Sequence, residues 1–422
     1  MNNLLIRNSA KLLSANVIAQ AIGLVVYPIL TRLYTPEDFG VLNLFLSIGS
    51  ILILLANADY HCAIIIPQKE KDSIALVQLS FYLILIVTCF TALSTIFAPY
   101  IANFFHVCEL TKWYSLLPIY VFSISLWNVL NYWFIRHNQF SRVSIYQLSQ
   151  SGLGAALKIV LGYLDFAGGM VAAMVIAPIL SLAANISIAW KKYMQPLAHF
   201  DTQSIRDVAQ QYRQFPIFSM SSSLVNMLSS QLPVLVLTPF FCIREIGLWS
   251  MAILLSYAPL SMIAKTLSQT LYQYTMEHIH KQQSIRMIYR QFISKMLIAI
   301  IPSFSILWIF LPKLTGLLLG AEWTICGQYI RWLMPWLVCN VLVASIGFLA
   351  GIFAKQKIEF LFELLRLICR VAGLVIGIVT KNFSIAIIGY AVGSFIITFI
   401  QLLWLMTLVK TYDTSLQNHT IS

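Results

Sequence analysis

The sequence predicts an all-α membrane protein of about 12 transmembrane helices, and three observations carry that prediction. Apolar runs recur from Leu12 to Leu408, each near the roughly 20 residues that cross a hydrocarbon core of about 30 Å as a helix. Of the 422 residues, 59% are hydrophobic and 10% charged, with a mean hydropathy of +0.81, whereas a soluble domain carries roughly 25% charged residues. The basic residues also alternate in density from one inter-run segment to the next, as topology requires of a polytopic chain.

Taken in order, the spans start near Leu12, Val41, Ile74, Tyr114, Val143, Gly168, Phe215, Ile246, Phe292, Tyr329, Ile358 and Phe383. The first run lacks a small-x-small cleavage site and leads into Thr31-Arg32-Leu33-Tyr34-Thr35-Pro36-Glu37-Asp38, so it reads as a retained helix rather than a removed signal peptide. With the N-terminus inside, Arg7, Lys11, Lys69, Lys71, Arg136, Arg142, Lys191, Lys192, Arg206, Arg213, Lys281, Arg286, Arg290, Lys355, Lys357 and Lys410 fall on the cytoplasmic side. Arg32, Lys112, Arg244, Lys313 and Lys381 fall opposite, a bias of about three to one that places both termini in the cytoplasm. Rings at the span ends, such as Trp113, Trp133, Trp190, Trp323 and Trp404, suit the headgroup level.

The polar stretch from Lys191 to Gln214 divides the chain. It predicts an N-terminal six-helix bundle over 1–195, a cytoplasmic linker over 196–214 and a C-terminal six-helix bundle over 215–422, arranged around a central cavity. A weak internal repeat supports two halves. Asp38-Phe39-Gly40-Val41 matches Glu245-Ile246-Gly247-Leu248, and Ser73-Ile74 matches Ser284-Ile285, at spacings of 207 to 211 residues. Paired bundles with a site between them are a transporter architecture.

Charges inside the apolar runs are the chemically informative positions, because each costs at least a few kcal/mol unless it faces protein or water. They are Arg32, Asp59, Lys158, Lys265, Lys295, Arg331, Glu363, Arg366 and Arg370. Lys355, Glu359, Glu363, Arg366 and Arg370 recur on one helical face of the eleventh span. That face is expected to be either a self-compensating ladder packed on a neighbour or the cationic wall of a cavity. Lys158 has no acid on its helix until Asp165 and is too deep to snorkel, which favours a water-filled cavity. Lys265 and Lys295 are within snorkelling reach of the surface. Asp59 either pairs with a cavity cation or caps a helix end. The candidate binding residues are therefore Arg32, Lys158, Arg331, Arg366 and Arg370, with Asp59 and Glu363 as coupling or ion-pair acids.

Other chemistries find little support. No nucleotide-binding glycine loop is present, and no catalytic constellation or cofactor motif is legible. The seven cysteines lack metal-ligand spacing and read as small apolar packing residues, with Cys108 and Cys242 in outer segments where pairing is chemically open. His278 and His280 read as a solvated helix terminus, so no metal is assigned. The net charge of +12 is spread between spans rather than clustered, which excludes nucleic acid as a partner. Pro28, Pro178, Pro216, Pro233, Pro259 and Pro302 are expected to interrupt spans and permit bends.

The segment Pro28-Ile29-Leu30-Thr31-Arg32-Leu33-Tyr34-Thr35-Pro36-Glu37-Asp38-Phe39-Gly40 resembles the first-loop signature of the polysaccharide biosynthesis family, the O-antigen and related oligosaccharide-lipid flippases of the multidrug/oligosaccharidyl-lipid/polysaccharide exporter superfamily. Ala58-Asp59-Tyr60-His61-Cys62-Ala63-Ile64-Ile65-Ile66-Pro67, Ile246-Gly247-Leu248-Trp249, Ser268 to Gln273, and Gly320-Ala321-Glu322-Trp323 with Gly327 and Pro335-Trp336 add to the likeness. The resemblance implies translocation of an undecaprenyl-diphosphate-linked oligosaccharide across the bacterial cytoplasmic (inner) membrane by alternating access, and no enzymatic activity. It implies as partners that lipid-linked substrate, membrane lipids, and a polysaccharide polymerase and chain-length regulator. It also makes Arg32 a cavity arginine, against the plainer reading of an interfacial arginine paired with Glu37 or Asp38. Two rival readings are a cation-coupled multidrug exporter, which calls for acids that the first and seventh spans lack, and a membrane polysaccharide polymerase, which calls for a large outer loop. A structural scaffold would not need Lys158.

Overall fold

A computed structural model describes residues 2–189 and 202–421, excepting the side chains of 1–13, 16, 189–202, 415 and 417–422. Among the described residues there is no strand, and twelve long helices stand where the twelve spans are predicted. They are α1 (Asn2–Leu33), α2 (Pro36–Asn57), α3 (Glu70–Ser94), α4 (Leu117–Arg136), α5 (Phe140–Tyr163), α6 (Gly169–Ala189), α7 (Met220–Leu237), α8 (Ile243–His280), α9 (Arg286–Leu319), α10 (Thr324–Ile346), α11 (Gln356–Val379) and α12 (Phe383–Ile421). Eight candidate spans meet length and composition limits for crossing a membrane. Outside those eight, among the described residues, fall α1, α4, α5 and α11, of which α5 holds Lys158 and α11 the Glu363, Arg366 and Arg370 group.

Local chemistry fixes the helix ends. Thr35 accepts from the Asp38 amide while the Asp38 carboxylate accepts from the Thr35 amide at 2.9 Å, a capping box that starts α2, with Pro36 at its first position. α9 is capped from a distance: Asp413 of α12 accepts from the amides of Ile285 (3.0 Å) and Arg286 (3.2 Å) and from the Ser284 hydroxyl, placing a carboxylate at the positive end of the helix dipole. Six prolines, Pro28, Pro178, Pro233, Pro259, Pro302 and Pro335, lie inside α1, α6, α7, α8, α9 and α10, and Pro312 lies in α9 as well. The helices run on through them rather than being interrupted, and Pro216 belongs to a π-helical lead-in to α7.

Residues 1–247 and 248–422 form two compact units. In the first, α1 packs on α5, α5 on α6, α3 on α4, and α2 on α3, α4 and α7. Part of the polar linker, Thr202–Gln211, is a strongly amphipathic helix packed on α3, with Val208 buried and the Ala209 carbonyl accepting from the Tyr60 hydroxyl at 3.2 Å. Linker residues 196–201, and the neighbouring Trp190, Lys191 and Lys192, lie outside the described residues. In the second unit α12 packs on α10 and α11, and α9 on α10. α9 turns Ile298, Ile301, Ile306, Leu307, Trp308, Ile309 and Phe310 outward, the surface a helix presents to hydrocarbon. The seven cysteines, Cys108 and Cys242 among them, are free.

Small residues set the closest approaches. A Cβ on Gly40 would collide with the Ile243 carbonyl, and one on Gly247 with the Pro36 carbonyl. These contacts are reciprocal at the repeat spacing, since Ile243 stands 207 positions after Pro36 and Gly247 the same distance after Gly40. The two matched tetrapeptides therefore meet each other, N-terminus of α2 against N-terminus of α8, with Glu37 and Arg244 paired at 3.2 Å beside them. In the second unit Gly373 abuts Gly389, Gly377 abuts Ala386 and Gly393 abuts the Cys369 carbonyl, a small-residue seam of the kind that lets membrane helices pack backbone to backbone.

Overpacking at these crossings is expected to destabilise the fold by on the order of 1–3 kcal/mol. Gly247→Val and Gly373→Val should each lower the thermal unfolding midpoint of the detergent-purified protein. Gly23→Val, at a glycine with no neighbour within 4 Å, should leave it close to wild type; equal midpoints for all three would contradict the assigned packing.

Candidate functional site

In the first unit the candidate cations are Arg32 and Lys158. Lys158 sits on α5 between Gly154, which meets Ala177 of α6, and Gly162, which meets Leu33 at the end of α1 and Tyr34 just after it. The exposed stripe of α5, including Ile145, Leu153, Val160 and Tyr163, lies on the opposite side at 100° per residue. Lys158 is thus turned into the unit, and among the described residues its ammonium has no carboxylate within 4 Å. Its carbonyl accepts from the Tyr34 hydroxyl at 2.7 Å, tying α5 to the end of α1. Arg32 stands at that same end but on the open face of α1, in line with Ile18, Val25 and Ile29. Its expected local partners are engaged elsewhere, Glu37 with Arg244 and Asp38 in the capping box.

In the second unit the structure brings Glu363, Arg366 and Arg370 together. Arg366 donates to Glu363 at 2.7 Å and to the Gln401 carboxamide of α12; its Nε is buried with no partner. Arg370 donates from Nε to the Ser394 hydroxyl at 2.8 Å. Its guanidinium lies 5.3 Å from the ring centre of Trp336 and 4.7 Å from that of Tyr390, and such contacts are worth about 2 kcal/mol when desolvated. Tyr257 stacks on the same Trp336 ring at 5.9 Å. On the polar face of α11 Arg366 and Arg370 are buried, Glu359 and Glu363 half-buried and Lys355 exposed, while Phe360, Leu361, Leu364, Leu365 and Ile368 form the exposed apolar face. Of the two readings of that face, the ladder packed on a neighbour is seen in Glu363 and Arg366, while Arg370 is held by a hydroxyl and two rings.

Sequence reasoning missed Tyr390, Ser394 and Gln401. The signal was present, since positions i, i+4 and i+11 of one helix share a stripe, and all three are buried. It was masked because none is charged.

Arg331 has a different environment. Its Nε donates to the Trp308 carbonyl and a terminal nitrogen donates to the Ile309 carbonyl at 2.6 Å, with the guanidinium 5.0 Å from the Trp308 ring centre. Pro312 lacks the N–H that would bond Trp308, four residues earlier. The arginine therefore fills a hydrogen-bond vacancy that the proline opens in α9.

Asp59 matches neither sequence expectation. It makes no side-chain helix cap, and its Oδ2 accepts from the hydroxyls of Ser219 (2.7 Å) and Ser223 (2.9 Å), near the start of α7. Lys265 and Lys295 are exposed.

Long apolar helices with cations turned inward define a multi-pass membrane protein, and the helix arrangement is that of known transporters. It is similar to the lipid II flippase MurJ in an inward closed conformation, with a TM-score of 0.76 at 12% identity over 98% of this chain and 91% of that one. It is also similar to an inward-facing multidrug resistance MATE family transporter of the MOP superfamily, with a TM-score of 0.66 at 13% identity over 94% and 96%. The chain belongs to the polysaccharide biosynthesis protein family, whose profile matches residues 29–328. A curated relative, the succinoglycan biosynthesis transport protein ExoT of Rhizobium meliloti (strain 1021), is 22% identical over 338 residues. That match takes in 77% of this chain and spans 63% of the relative's length.

Arg331→Gln is expected to lower the thermal midpoint of the wild-type chain, and to cost about 1 kcal/mol less in a Pro312→Ala background, where the restored backbone N–H bonds Trp308. Thermal unfolding of the four proteins of this cycle measures the coupling; additive effects would remove the bracing role.

Proposed function

We propose that this protein is a flippase that moves undecaprenyl-diphosphate-linked oligosaccharide repeat units, for O-antigen or a related surface polysaccharide, across the bacterial cytoplasmic membrane by alternating access. The observation that carries the reading is Lys158: an ammonium turned away from the exposed stripe of its helix, without a carboxylate among the described residues. A diphosphate and a hydrated sugar cannot enter hydrocarbon unaided, because each desolvated charge or polar group is costly. Interior cations supply charge-assisted hydrogen bonds to the phosphate oxygens. Family membership and the flippase-like fold support the same reading.

In this proposal Lys158 and Arg32 bind the head group, Arg366 contributes its unpartnered Nε, and Arg370 adds charge from its aromatic cradle. Arg331 joins them only through donors not given to α9. Glu363 is the ion-pair partner of Arg366 rather than a coupling acid. The chain acts as a transporter rather than an enzyme, and the lipid-linked oligosaccharide is its partner, supplied to a polysaccharide polymerase and chain-length regulator. The fold is shared with multidrug exporters, but α1 and α7 offer no acid to hold a drug cation.

Lys158→Met and Arg32→Gln are each expected to abolish surface polysaccharide in a deletion strain while membrane levels of the protein stay normal and lipid-linked oligosaccharide accumulates. Normal polysaccharide from both variants would reject the assignment, and raised drug tolerance on overexpression would favour the exporter.

A further inference from the structure

Past the end of α2 the backbone turns through two consecutive non-glycine residues with left-handed φ, Ala58 at 44° and Asp59 at 56°, a region that side chains with a Cβ enter rarely. The short helix Tyr60–Ala63 follows directly. The turn folds Asp59 back over the next residues, so that one ligand atom from each of Asp59, His61 and Cys62 lies within 4.8 Å of the other two. The His61 Nε2 to Cys62 Sγ distance is 3.6 Å. Tetrahedral zinc, with bonds of about 2.3 Å to sulfur and about 2.0 Å to nitrogen, requires a sulfur-to-nitrogen edge of about 3.5 Å.

The surroundings orient all three groups. Asp59 is 6% exposed, and both serine hydroxyls bond its Oδ2, so its Oδ1 is not taken up by them. Tyr132 of α4 meets the Cys62 sulfur at 3.5 Å through its hydroxyl and the His61 ring edge-on at 5.1 Å between centres. His61 Nδ1 is buried without a partner, so the protein's own hydrogen bonds do not use up the imidazole. A carboxylate and a thiol with hydrogen-bond partners behind them and an imidazole held edge-on by a tyrosine ring are a borderline-soft donor set; magnesium and calcium call for oxygen ligands throughout.

We propose that Asp59, His61 and Cys62 form a binding site for a zinc-class divalent cation, through one oxygen, one nitrogen and one thiolate, with the fourth position left to water. The thiol proton passes to solvent on binding, and the carboxylate closes on the ion by about 1 Å to reach bonding distance. Occupancy fastens the end of α2 to α4 through Tyr132 and to the start of α7 through Ser219 and Ser223. The inference is independent of the transported substrate.

The test uses the full-length protein in detergent, stripped with EDTA and dialysed against buffered zinc. Elemental analysis should find about one zinc per chain, and bound zinc should raise the thermal midpoint. Cobalt in place of zinc should give a near-ultraviolet thiolate-to-metal band that is lost in Cys62→Ser and kept in Cys89→Ser and Cys108→Ser. Asp59→Asn and His61→Gln should weaken zinc binding by roughly tenfold or more. On the wild-type chain, without any substitution, zinc should protect Cys62 from alkylation as read by mass spectrometry. Absence of bound zinc, a cobalt band that survives Cys62→Ser, or undiminished alkylation of Cys62 would each overturn the site.

Discussion

Hydrocarbon offers no hydrogen-bond partner, and that constraint organises this molecule. Every backbone amide in the spans has to be satisfied inside its own helix, which is why the described residues contain helices and no strands. Wherever a proline removes an amide, the carbonyl it leaves open has to find another donor nearby. Pro312 shows how: that carbonyl accepts from Arg331 on the adjacent helix, so a cation within a span serves the backbone directly.

The same constraint sorts the charged side chains. A guanidinium in hydrocarbon is costly, and α11 resolves this by presenting its apolar residues outward and its arginines to α12, where Gln401, Ser394 and Tyr390 receive them. Breaking a buried charge from its partner is strongly destabilising, so these contacts hold the two helices in one register. The seam of Gly373, Gly377, Gly389 and Gly393 beside them brings the backbones close enough for the side chains to meet. Packing and polarity are thus two aspects of one helix pair.

Lys158 stands apart from this arrangement. Arg366 has a carboxylate and Arg370 has a hydroxyl and two ring faces, whereas the described surroundings of Lys158 supply no acid. In the proposed function the counter-ion of this interior charge is the anionic head group of the transported lipid. The proposed cation site at Asp59, His61 and Cys62 is of another kind, assembled within four consecutive residues by a strained turn and braced by groups from α4 and the start of α7.

By itself the sequence determined the fold class, the number and order of spans and the family, because hydropathy over 20 residues and turn signatures such as Thr35-Pro36-Glu37-Asp38 act locally. It also determined that the charged residues of α11 share one side of the helix, since helical periodicity alone places them there. Tertiary structure decided the rest. Only long-range contact shows that the repeated tetrapeptides meet at Gly40 and Gly247, that Arg331 braces a proline 19 positions earlier, that Asp59 holds two serines rather than capping a helix, and that Tyr390, Ser394 and Gln401 receive the arginines. Each of these depends on which helix lies beside which, and a bilayer rewards every apolar surface alike, so neighbours are chosen by shape and hydrogen bonding between segments far apart in the chain.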